Sequence, residues 1–129
     1  MNRKQSKIPS EWLREAEATV REVLDGLPEE LRDRAVRVPV VYEALPSRGM
    51  VKDGVEPDTL GLFVGEAFPE QGESLDPSPA EVLLFLENIY DLAEGDRDVF
   101  HDEVRDTYLH ELGHYLGLDE EGVAAKGLE

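Results

Sequence analysis

Two histidines and a glutamate near the C-terminus are spaced for metal chemistry. The stretch runs His110-Glu111-Leu112-Gly113-His114-Tyr115-Leu116-Gly117-Leu118-Asp119-Glu120, or H-E-x-x-H-x-x-G-x-x-E as a pattern. Histidines four residues apart lie one above the other on the same face of a helix, so both imidazoles can reach one ion. Glu111 follows the first of them and is placed to take a proton from a water that the ion activates. A catalytic zinc site uses three protein ligands and leaves a fourth position open. Gly117 suits the end of the helix, because glycine accepts the left-handed conformation that turns the chain back. That turn can bring Glu120 to the metal as third ligand. Asp119 is the alternative, and a ligand from elsewhere in the chain is a third possibility.

The bland reading of the motif is two incidental surface histidines, and several features weigh against it. The chain has three histidines, and two of them fall in the pattern. Gly113 inside the helix costs about 1 kcal/mol of propensity relative to alanine, which suggests a packing reason. On a wheel of about 100° per residue, Glu103, Thr107, His110, Glu111 and His114 share one face, with Val104, Tyr108, Leu109, Leu112 and Leu116 on the other. His101 is about half a turn out of phase with His110 and is expected to pack or lie at the surface. Tyr90, Tyr108 and Tyr115 are expected to pack in the core or at the rim.

The elements that must position this helix can be read from periodicity. Ser10 is placed to cap a helix from Glu11, along which Trp12, Leu13, Ala16, Val20, Val23 and Leu24 recur at helical spacing up to Asp25-Gly26. A short helical turn is expected over 29–34. Val36, Val38, Val40 and Tyr42 alternate with other residues as in a strand, and Pro39 favours an edge position. Residues 45–59 read as a loop, Leu60 to Val64 as a second strand, and 66–80 as another connection. Val82 to Leu86 is a short apolar run and reads as a buried strand, although periodicity alone does not exclude a helix. Asp98 is the expected cap of the motif helix, which should run from about Val99 to Leu116. The C-terminal residues beyond Glu120 are expected to fray.

Composition narrows the function. A chain of 129 residues, 40% hydrophobic and 33% charged, suits one folded domain covering 1–129. The net charge of −17 disfavours nucleic acid and anionic membranes, and any charged partner is expected to be cationic. No apolar run approaches the roughly 20 residues of a membrane span. The basic N-terminus (Arg3, Lys4, Lys7) lacks an apolar signal region, so a cytoplasmic location is the default. There is no cysteine, which removes thiolate ligands and disulfides. Two Asn, two Gln, nine Arg against four Lys and eight Pro lean towards a thermophilic source.

Over 82–120, in the apolar VLLFLENI run and the HELGHYLGLDEE helix and exit, the chain resembles small bacterial zincin-like proteins regarded as possible metallopeptidases. The resemblance implies an α+β fold, a minimal zincin with a small mixed sheet packed on an N-terminal helix and an active-site helix. It implies Zn2+ held by His110, His114 and Glu120, with Glu111 as catalytic base. It also implies a peptide or protein substrate, extended and paired with the strand around Val82–Leu86. The leading expectation is therefore a zinc-dependent peptidase. The alternatives are a zincin fold used as a binding module with little or no catalysis, and a metal-stabilised structural domain. Oligomeric state and substrate are not legible.

Overall fold

The apolar run before the motif helix becomes the centre of a small sheet. In the computed structural model, which describes residues 8–65 and 79–117, β3 (Glu81–Phe85) lies between β1 (Val40–Glu43) and β2 (Gly61–Val64). β1 runs parallel to β3, with Val40 opposite Val82 and Tyr42 opposite Leu84. β2 runs antiparallel, with Phe63 opposite Val82 and Gly61 opposite Leu84. Val82 to Phe85 are all buried, as an uninterrupted apolar strand requires when both its faces are covered. One face carries the cross-strand rows Val40–Val82–Phe63 and Tyr42–Leu84–Gly61. The helices pack on this face, and Val82 and Leu84 join their core.

The helices are α1 (Ser10–Gly26), α2 (Glu29–Ala35), α3 (Arg48–Lys52), α4 (Leu86–Leu92) and α5 (Arg97–Leu116). α5 crosses the sheet and packs on β2, β3 and α1. Its Val104, Tyr108 and Leu112 meet Ala16 and Val20 of α1 in one buried cluster. At one end of the α1–α5 contact, Trp12 stacks on Tyr90 with ring centroids 3.7 Å apart, and Phe100 packs beside both. The α+β architecture expected from the sequence is the one observed. No helix among the described residues is long and apolar enough to cross a membrane.

Several local expectations are corrected. Ser10 is the first helical residue and makes no cap; Pro9 precedes the helix, and its carbonyl accepts from the Trp12 and Leu13 amides. β1 begins at Val40 rather than Val36, because the turn that ends α2 continues through Val38. The Val36 amide donates to the Arg32 carbonyl, and the Val36 side chain is 59% exposed. Pro39 then sits just before an edge strand, where its missing donor costs no ladder bond. The stretch 45–59 holds α3, capped by Ser47 Oγ accepting from the Met50 amide at 3.1 Å. Asp96, not Asp98, caps α5, its Oδ1 accepting from the Val99 amide at 3.0 Å. Most of the 66–80 connection and the chain beyond Gly117 lie outside the described residues.

Across the α1–α5 contact, His101 Nε2 lies 3.0 Å from Glu22 Oε1 and Nδ1 lies 3.4 Å from Asp102 Oδ1. The Glu22 carboxylate chiefly, with Asp102 and Glu15, raises the His101 pKa above its ordinary value, against an opposing effect of partial burial. A histidine with a raised folded-state pKa stabilises the fold fully below the unfolded value of about 6.5, and that stabilisation is lost as pH rises through the folded pKa. His101→Asn should therefore lower the melting temperature relative to wild type at about pH 5.5. The two proteins should converge by about pH 9, as thermal unfolding at the two pH values would show.

Candidate metal centre

The last two turns of α5 divide their side chains between core and site. Leu112, Gly113, Tyr115 and Leu116 are buried. His110 and His114 are exposed on the opposite side, with ring centroids 5.0 Å apart and planes at 86°. Gly117 adopts φ 74° and ends the helix, its amide facing the Gly113 and His114 carbonyls. One ligand-capable atom each from His110, Glu111 and His114 lies within 4.8 Å of the other two.

Glu111 differs from its histidine neighbours in being half-buried, under β2. Burial raises its pKa above the usual carboxylate range, while His114, His110 and a hydrogen bond from the Phe63 backbone amide work in the opposite direction. Beside it opens a cavity of about 310 Å³ lined by Leu60, Gly61, Asp106, Thr107, His110 and Glu111. Thr107, placed with the ligands on the helical wheel, is buried instead, because β2 lies directly on it. A Cβ at Gly61 would stand 2.5 Å from Thr107 Cγ2 and 3.3 Å from Glu111 Cγ. Only hydrogen at position 61 allows the strand so close to the helix. The approach to β2 is held from below by Asn88 on α4, whose Nδ2 donates to the Pro57 carbonyl at 2.8 Å and the Thr59 carbonyl at 3.0 Å.

The ladder pattern sets which backbone groups of β2 face outward. The Phe85 amide donates to the Leu60 carbonyl at 2.9 Å. In that register the β3 bonds run through Leu60, Leu62 and Val64. Gly61 and Phe63 therefore turn their N–H and C=O groups away from β3. No strand pairs with this edge among the described residues. The expectation that an extended peptide pairs with the strand around Val82–Leu86 is corrected here, since β1 and β2 already take both edges of β3.

Of the residues singled out by sequence, His110, Glu111 and His114 are brought together, while Glu120 and Asp119 lie outside the described residues. His101 points to α1, away from this group. Tyr115 and Tyr108 are buried; Tyr115 packs its ring against Phe63, and Tyr90 lies against Trp12. The donor set suits zinc: two imidazoles and a nearby carboxylate are its usual nitrogen and oxygen ligands, and the exposed histidines leave room for water. Sequence reasoning placed Thr107 on the site face of the helix but missed its burial, and it missed Gly61, Phe63 and Asn88 as parts of the site. Of these three only Gly61 carried a signal, as an isolated glycine inside an apolar strand, which marks a close backbone approach.

Residues 35–128 match the zincin-like metallopeptidase family. The chain belongs to that family. The family is one of zinc peptidases, and a peptidase family implies peptides or proteins as the class of substrate. The match spans the sheet, the cavity and the whole of α5, and begins after α1. None of the curated proteins matches this zincin-like chain.

Gly61→Ala should cost about 1–3 kcal/mol of stability through overpacking against Thr107. Adding Thr107→Ser, which removes the opposing methyl, should recover part of that loss. Urea unfolding of the three proteins, compared at constant m-value, checks both expectations.

Proposed function

We propose that this zincin-like chain is a zinc-dependent peptidase in which His110, His114 and Glu120 hold the metal and Glu111 is the general base. The observation that carries this reading is the gathering of His110, Glu111 and His114 within 4.8 Å, beside a sheet edge with outward backbone groups. Zinc, when bound, polarises a carbonyl and makes water more acidic. Glu111 takes a proton from the attacking water as the water oxygen bonds to the scissile carbon. Glu111 then passes that proton to the leaving nitrogen as the C–N bond breaks. Its partial burial beside Gly61 and Thr107 favours this role, because a carboxylate with a raised pKa accepts a proton more readily. The extended substrate lies along β2, where the outward amide and carbonyl of Gly61, paired with no strand among the described residues, face a peptide backbone.

Four variants test the assignment. Glu111→Gln should retain zinc and lose about 100-fold or more of peptide hydrolysis. His114→Ala should lose the zinc that wild type keeps after dialysis into metal-free buffer, measured by elemental analysis. Glu120→Ala should weaken zinc binding far more than Asp119→Ala. Full hydrolytic activity in Glu111→Gln would sink the mechanism. Retained zinc with no hydrolysis across a peptide library would move the reading to a peptide-binding zincin fold.

A further inference from the structure

We propose that the cavity beside Glu111 is a subsite for a basic side chain of the substrate, lysine or arginine, with Asp106 as its specificity-determining residue. The inference rests on the peptidase reading and adds a substrate class to it: peptides with a basic residue next to the cleaved bond.

The cavity, about 310 Å³, is at the small end of ligand pockets and suits one side chain. Of its lining residues, Asp106, His110 and Glu111 can carry charge, and the last two belong to the metal centre. Asp106 lies four residues before His110, one turn of α5 or about 6 Å back along the helix axis. The cavity therefore runs from the reacting groups to a carboxylate. Between these ends the walls are Leu60, Gly61 and Thr107, whose Cγ2 methyl is turned to Gly61. A long side chain with an apolar stem and a cationic head matches that order, because such chains bury the stem and keep the head in water. Asp106 is exposed, so the head keeps part of its hydration there.

The sheet aims a substrate residue into this space. Residues directly opposite each other on paired strands put their side chains on the same face. The Cβ direction of Gly61 points at Thr107 of α5, so a substrate residue opposite Gly61 sends its side chain towards α5 as well. Gly61 itself has no side chain to fill the room.

Arg105 already meets Asp106, with its Nε and Nη2 3.2 and 3.0 Å from Oδ1. Both contacts fall on one carboxylate oxygen, and a carboxylate has acceptor sites on two. The two side chains are 45% and 60% exposed, and exposed ion pairs hold weakly. Arg105 thus competes with a substrate without closing the subsite. The net charge of −17 attracts cationic peptides in general, and Asp106 gives that attraction a position.

Peptide binding, followed by NMR chemical shifts on the full Glu111→Gln chain in zinc-containing buffer, tests the subsite without hydrolysis. That substitution also leaves Asp106 as the one carboxylate lining the cavity. A blocked alanine peptide with one central lysine should bind about threefold or more tightly than its norleucine counterpart, which has the same carbon stem without the charge. It should shift the amides of Leu60, Gly61, Asp106 and Thr107. Asp106→Asn should bring the two peptides to equal affinity, Asp106→Glu should keep the preference, and Arg105→Gln should widen it. Equal binding of the two peptides before any change at Asp106, or no binding of either, would overturn the proposal. So would a lysine preference that survives Asp106→Asn, because the overall charge would then be its source. If wild type hydrolyses peptides, the cut should follow a single lysine moved along an alanine peptide, as mass spectrometry would show, and Asp106→Asn should scatter it. Cutting indifferent to lysine would overturn the subsite and leave the peptidase reading standing. Absence of hydrolysis in wild type would count against the peptidase reading and leave the subsite to be decided by binding.

Discussion

A side chain larger than hydrogen at position 61 would stand against the Thr107 methyl and the stem of Glu111, and β2 would have to move off α5. The candidate site depends on that approach. Because the strand lies on the helix, Glu111 is partly withdrawn from water while His110 and His114 remain exposed. Neighbouring positions on one helix thus have different solvation. That difference suits their proposed roles, since metal ligands need open approach and a general base benefits from a raised pKa.

The rest of the fold supports this contact. β3 is buried along its length and aligns the two outer strands, so the row Tyr42–Leu84–Gly61 passes under α5 at the right place. Asn88, in the first turn of α4, ties the segment entering β2 to the end of β3 through the Pro57 and Thr59 carbonyls. On the other side, Ala16 and Val20 of α1 join Val104, Tyr108 and Leu112 of α5 in the core. Large-to-small changes at such buried positions typically cost about 2–5 kcal/mol, so α1 contributes to the stability of the site helix without touching the site. α1 lies before the part of the chain that matches the family, and its Glu15 and Glu22 pair with Arg97 and His101 at the start of α5.

Where sequence reading departed from the structure, the departures have local causes. The Val36–Val38–Val40 alternation is the pattern of a strand, but the first two belong to the end of a helix whose carbonyls still accept from the following amides. A period of two over so few residues does not separate these cases. Ser47 sits among prolines and glycines that signal a loop, yet its hydroxyl caps a short helix there. Asp96 and Asp98 are both good capping residues, and only the path of the chain out of α4 decides which is used. Thr107 shares a helical face with His110 and Glu111, as the wheel required. Its burial comes from β2, an element some forty residues earlier in the chain.

His110, Glu111, His114 and Gly117 were legible because their chemistry is local: a helix repeats every 3.6 residues, and a glycine ends it. The buried character of β3 was legible for a similar reason, since an unbroken apolar run leaves no face for water. Gly61, Phe63 and Asn88 act through contacts with distant segments. What the sequence by itself determined was the metal-binding pattern, the apolar centre of the sheet and the α+β class. Only the tertiary structure decided which strand borders the site, which backbone amides face it and how deeply Glu111 is buried. Those depend on packing between segments far apart in the chain, and no local period encodes that packing.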